Sequence, residues 1–168
     1  MKLFIYIVFI SAFMFCFNAI SNEQNSIMLI KLKFVGSNGS KTNASIVLFN
    51  EKNQETFTIS KMLSRKAGVM KIKLAAGIYS IHKYKTSGGI KLRMTDYGYR
   101  FEIVDNQINY VGDWVFTENW GDFVSKKGEF SVGLSTTFEK ETIEQGFQKY
   151  PDMFANLEFN VSEAIALE

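Results

Sequence analysis

From Ile27 to Thr136 the chain is cut into short runs of Ile, Val, Phe, Tyr and Thr by Gly, Asn, Asp and Ser, and this spacing constrains the fold more than any other feature. Runs so short cannot sustain the periodicity of a packed helix, but they suit a pleated strand followed by a reversal. Strands are expected at about 27–35, 44–50, 55–60, 69–74, 78–85, 90–94, 99–104, 107–116, 121–125 and 129–135. The sets Ile30/Leu32/Phe34, Val69/Ile72/Leu74 and Phe101/Ile103 place apolar residues on one face, with Val69 slipping register. Gly36–Ser40 reads as a loop, and Asp105-Asn106 and Lys126-Lys127-Gly128 as turns. The expected class is mainly β, an antiparallel Greek-key β-sandwich with one C-terminal amphipathic helix.

That helix is expected at about 137–150. Thr136-Thr137-Phe138-Glu139 fits a capping box, Ile143, Phe147 and Tyr150 form a stripe at helical spacing, and Pro151 blocks continuation. The stripe is expected over a sheet edge or barrel mouth. Phe154 to Val161 reads as one more extended segment.

Met1-Lys2, an apolar run from Leu3 to Phe17 and the small-residue pattern Ala19-Ile20-Ser21 match the three regions of a secretory signal. The run is shorter than the roughly 20 residues of a spanning helix. Residues 1–21 are therefore expected to be a cleaved signal peptide and 22–168 a single exported domain, most naturally periplasmic. An outer-membrane lipoprotein anchored through Cys16 is the alternative, but the bulky Met14 and Phe15 directly before Cys16 disfavour lipidation, so membrane anchoring is not expected. Loss of the signal would remove the single cysteine, leaving a domain that depends on its core rather than on disulfides.

Nineteen Lys and Arg against seventeen Asp and Glu leave a charge of only +2, which is not the basic excess of a nucleic-acid binder. One His and one Cys cannot furnish a zinc or iron-sulfur site, and no cofactor or metal is expected. His82 is the only imidazole and lies mid-strand, without a Gly-x-Ser-x-Gly elbow to serve. The glycines of Gly36–Ser40 lack the Gly-Lys-Ser/Thr ending of a phosphate loop.

The densest polar and aromatic cluster is Asp113–Asp122. Trp114 and Trp120 could stack on a sugar while Asp113, Asn119 and Asp122 bond its hydroxyls, and a carboxylate pair there could hydrolyse a glycoside. The competing reading is a hairpin with one tryptophan in the core and its acids in the turn. A second feature is the run from Lys61 to Arg93, which holds nine Lys and Arg and no acid. It could attract anionic envelope lipid or polysaccharide, or its lysines could keep strand edges from pairing with other chains.

Leu74-Ala75-Ala76-Gly77-Ile78-Tyr79 has the local form of a tyrosine corner. Phe101–Asp113 is a strand, a turn and a strand ending Tyr110-Val111-Gly112-Asp113, and the helix stops at Tyr150-Pro151. Over residues 69–151 the chain thus resembles a group of uncharacterised bacterial exported proteins and lipoproteins with a carboxypeptidase-regulatory-like or prealbumin-like β-sandwich. The resemblance implies that fold and carries over no catalytic residue. The expected role is a non-enzymatic exported envelope module, binding or structural, whose partner is a protein or polysaccharide of the envelope. The alternative is a carbohydrate-binding or glycoside-hydrolysing protein using the Trp114 to Asp122 region.

Overall fold

The computed structural model describes residues 26–60, 68–94, 99–120 and 130–163. The expected signal peptide, the strand at 121–125, the turn at 126–128, and Lys61, Arg65, Lys66 and Asp122 lie outside them. The strands are β1 (Ser26–Val35), β2 (Ala44–Asn50), β3 (Thr56–Ser60), β4 (Met70–Leu74), β5 (Gly77–Thr86), β6 (Lys91–Arg93), β7 (Arg100–Ile103), β8 (Gln107–Trp120), β9 (Phe130–Thr137) and β10 (Glu158–Val161). Among the described residues, two helices, α1 (Lys140–Lys149) and α2 (Pro151–Asn156), precede β10.

The strands form two five-stranded sheets. The first runs β10-β8-β1-β4, with β9 beside the later half of β8; the second runs β3-β2-β5-β6, with β7 beside the start of β5. The fold is a mainly β sandwich with a C-terminal helix. All pairs of the second sheet are antiparallel, whereas the first is mixed, because β1 and β10 run parallel to β8. Turn residues report only hairpins between chain neighbours, so a pairing between strands some eighty positions apart leaves no such mark.

The main core lies between the sheets. Met28, Ile30, Leu32 and Phe34 of β1 and Trp114 and Phe116 of β8 meet Ile46 and Leu48 of β2 and Tyr79, Ile81 and Tyr84 of β5. The continuous run Ile27-Met28-Leu29-Ile30 is buried on both faces because α1 and α2 cover the outer side of this part of the first sheet. There Ile27, Leu29, Val69, Ile108 and Tyr110 pack with Met153, against Ile143, Tyr150 and Phe154. Val69 therefore belongs to the helix side, and Met70, Ile72 and Leu74 make the inward face of β4.

Two expectations for the helix are corrected. Thr136 and Thr137 remain in β9, paired with Trp114 and Asp113, so no capping box forms; Glu139 is the N-cap and makes no side-chain cap bond. The helix lies on a sheet face, not over an edge or mouth, with Thr142 and Gly146 as its buried residues. Gly146 permits the approach, since a β-carbon there would stand 2.9 Å from Leu29 Cδ2. Phe147, expected in the buried stripe, is 46% exposed and stacks on Phe154 with ring centroids 3.8 Å apart.

The tyrosine corner is present. Tyr79 donates its hydroxyl to the Ala75 carbonyl at 2.9 Å, and Gly77, at φ +146°, makes the turn that brings them together.

Candidate functional site

The structure disperses the cluster read from Asp113 to Asp122. Along β8, Trp114 points into the core at 1% exposure and donates its indole N–H to the Val111 carbonyl at 2.7 Å. Strand alternation sends Asp113 to the opposite face, beneath α1, where it is buried. Asn119 and Trp120 lie at the exposed end of the strand, Trp120 at 37% exposure with its ring against Phe130. Asp113 and Trp114 therefore share no surface with Asn119 and Trp120, and the expected five-residue site does not assemble from them.

A bulge organises the Asp113 side. Leu29 pairs with Tyr110 and Lys31 with Asp113, so two steps on β1 span three on β8, and Gly112 takes up the extra residue at φ +96°. The shift places Tyr110 and Asp113 on one face. Tyr110 donates to Asp113 Oδ1 at 2.7 Å, Thr142 donates to Oδ2 at 2.7 Å, and Lys31 Nζ lies 3.1 Å from Oδ2. Burial, followed by the bond to Asp113, holds the Tyr110 phenol above its ordinary pKa. The network ties helix to sheet.

A second buried carboxylate, Glu118, accepts from Tyr84 at 2.8 Å and from Thr42 and Trp120, each at 3.2 Å. Burial raises the Tyr84 phenol, and the bond to Glu118 and its negative charge raise it further. Both carboxylates thus spend their lone pairs on internal donors. The sequence singles out Asp113 alone of the two; Lys31 and Thr142 around it, and Thr42 and Tyr84 around Glu118, are too far apart in the chain for any spacing rule to join them. Tyr110, three residues from Asp113, reaches its face only through the bulge at Gly112.

A groove of about 470 Å³ is lined by Glu51, Lys52, Gly77, Ile78, Glu102 and Asp105, among others. Glu51 is already paired with Arg100 at 2.8 Å, and Asp105 accepts from the Ser26 hydroxyl at 3.0 Å. Among the described residues, no group of three or more His, Cys, Asp or Glu is placed to hold a metal ion, and no helix is long and apolar enough to cross a membrane.

The feature that the fold does assemble is the outer face of the second sheet. Ile81 and Tyr84 of β5 and Leu92 of β6 face or pack against the core, which turns Lys83, Lys85, Lys91 and Arg93 outward. The register sets Lys83 opposite Arg93 and Lys85 opposite Lys91. On the other side of β5, Lys83 opposes Val47 and Lys85 opposes Ser45, and these in turn oppose Thr58 and Ser60 of β3. A register shift between Val47 and Leu48 leaves His82 as the extra residue, its ring 5.9 Å from that of Phe49. Desolvation lowers the His82 pKa, and the charges of Lys83 and Arg93 lower it further. Lys71 and Lys73, by contrast, lie on β4 at the edge of the first sheet.

No family model and no curated protein matches the chain. A leucine-rich repeat protein of known crystal structure from Bacteroides thetaiotaomicron is similar over 52% of this chain, with 16% identity and a TM-score of 0.31. The match spans 13% of that protein, a likeness too slight to carry argument.

Proposed function

We propose that the chain is an exported, non-enzymatic β-sandwich module of a bacterial envelope that acts by presenting a binding face. The N-terminal pattern supports export, and the outer face of the second sheet supports binding. The single observation that carries the reading is the pairing of cation with cation, Lys83 with Arg93 and Lys85 with Lys91, on the outer face of the second sheet. Directly opposed like charges cost stability, and an anionic partner would turn that cost into affinity.

Catalysis is disfavoured by the use of Asp113 and Glu118 as internal acceptors. A second reading, a sugar-binding module, draws on the part-exposed Trp120 beside the exposed Asn119. The test is sedimentation of the purified protein with envelope fragments of its source organism. Salt-sensitive sedimentation that is lost when Lys83 and Lys85 are both changed to Gln is expected; sedimentation unchanged by those substitutions would overturn the reading.

A further inference from the structure

We infer that the outer face of the second sheet recognises a linear anionic glycan, with Lys83, Lys85, Lys91 and Arg93 meeting its carboxylate or sulfate groups and adjoining hydroxyls meeting its sugar. This rests on the binding role proposed above and names the partner. Opposed side chains start about 5 Å apart and the two rows are separated by about 7 Å, so the block is wider than one small anion and suits charges repeated along a polymer. Among the described residues, no ion pair joins any of the four to an acid.

Defence of a sheet edge accounts for Lys91 and Arg93, since β6 is an edge strand. It does not account for Lys83 and Lys85. Those residues sit on β5, which has β2 on one side and β6 and β7 on the other, and an edge defence needs no charge there.

The surroundings select the polymer. The Lys85 row runs into Ser45 and Ser60, and the Lys83 row into the buried Val47 and then Thr58, so hydroxyls adjoin both rows where a bilayer-docking face would offer exposed apolar groups for insertion. Of the large exposed apolar residues, Trp120, Phe138, Phe147 and Val161 belong to the first sheet and its helix side; Ile78 and Ile90 belong to the second, Ile78 at the far end of β5 opposite Glu102 and Ile90 in the turn before β6.

The experiment measures binding of the purified protein to dextran sulfate, polygalacturonate, unsubstituted dextran and phosphatidylglycerol vesicles at low and high salt. The Lys83→Gln/Lys85→Gln variant is compared with Lys33→Gln/Lys73→Gln, which removes equal charge from exposed positions of the first sheet. Salt-sensitive binding to the two anionic glycans is expected, weakened about tenfold or more by the first variant and less than about threefold by the second. Removing like charges should leave the melting temperature unchanged or raised; Lys91→Gln/Arg93→Gln supplies a second variant in case the first does not fold.

Equal weakening by both variants, preference for vesicles, or no glycan binding would each overturn the inference. Binding to unsubstituted dextran that is abolished by Trp120→Ala would overturn it in favour of the sugar-stacking reading. Shortening of a bound anionic glycan would leave the recognition standing and overturn the non-enzymatic reading instead.

Discussion

Tyr84 of the second sheet donates its hydroxyl to Glu118 of the first at 2.8 Å, joining the two layers through a carboxylate only 2% exposed. Removing that donor strands a buried acceptor. Tyr84→Phe is expected to cost about 2 kcal/mol, within the range for hydrogen bonds to charged groups. A denaturant midpoint within experimental error of the parent would show that Thr42 and Trp120 alone satisfy Glu118.

Tyr79→Phe should cost about 1 kcal/mol by deleting the bond to Ala75 while preserving the ring's stacking on Phe101. The same denaturation assay checks it, and an unchanged midpoint would reduce the corner to packing alone.

The two tryptophans should separate cleanly. Trp114→Ala empties core volume and is expected to cost about 3–5 kcal/mol, whereas Trp120→Ala should fold at a much smaller cost. Iodide should quench the fluorescence of a variant retaining only Trp120 and spare one retaining only Trp114. The reverse pattern would contradict the placement of β8.

Gly112→Ala should destabilise by about 2–4 kcal/mol, because φ is +96° and the added carbon would lie 2.9 Å from the Thr137 carbonyl oxygen. Gly133→Ala, where nothing stands within 4 Å of such a carbon, is the control. Equal melting temperatures for the two would show that the bulge tolerates a side chain.

Two titrations have opposite signs. His82 has a lowered folded-state pKa, so the unfolded chain binds its proton first, and stability should decline as pH falls below about 6.5. His82→Gln should flatten that decline. Tyr84 and Tyr110 have raised values, so the unfolded chain loses their protons first, and stability should fall as pH rises past about 10. Phenolate absorbance appearing for these two tyrosines before unfolding would contradict their burial.

The strands from β1 to β9, the Gly77–Tyr79 corner and the inward faces of β1 and β7 were legible in the sequence because each depends on local chemistry: alternation at period two, a glycine at positive φ, and turn residues between runs. Phe154, expected in an extended segment reaching Val161, lies instead in α2, and only Glu158–Val161 of that segment is a strand. The helix was legible as an element, but its buried side was not. Gly146 carries no apolar signal, yet it is buried, and a side chain there would run into Leu29.

Tertiary structure decided the rest. Asp113 and Trp114 are neighbours in the chain, and the pleat sends them to opposite sides of a sheet, one beneath a helix and the other into the core. The lysines between Lys61 and Arg93 form one basic run in sequence, but the fold puts Lys71 and Lys73 on the edge of one sheet and gathers Lys83, Lys85, Lys91 and Arg93 on the face of the other. Composition determined how much charge the chain carries; strand order and register decided which charges face one another, because opposition across a sheet depends on pairings that local sequence does not encode.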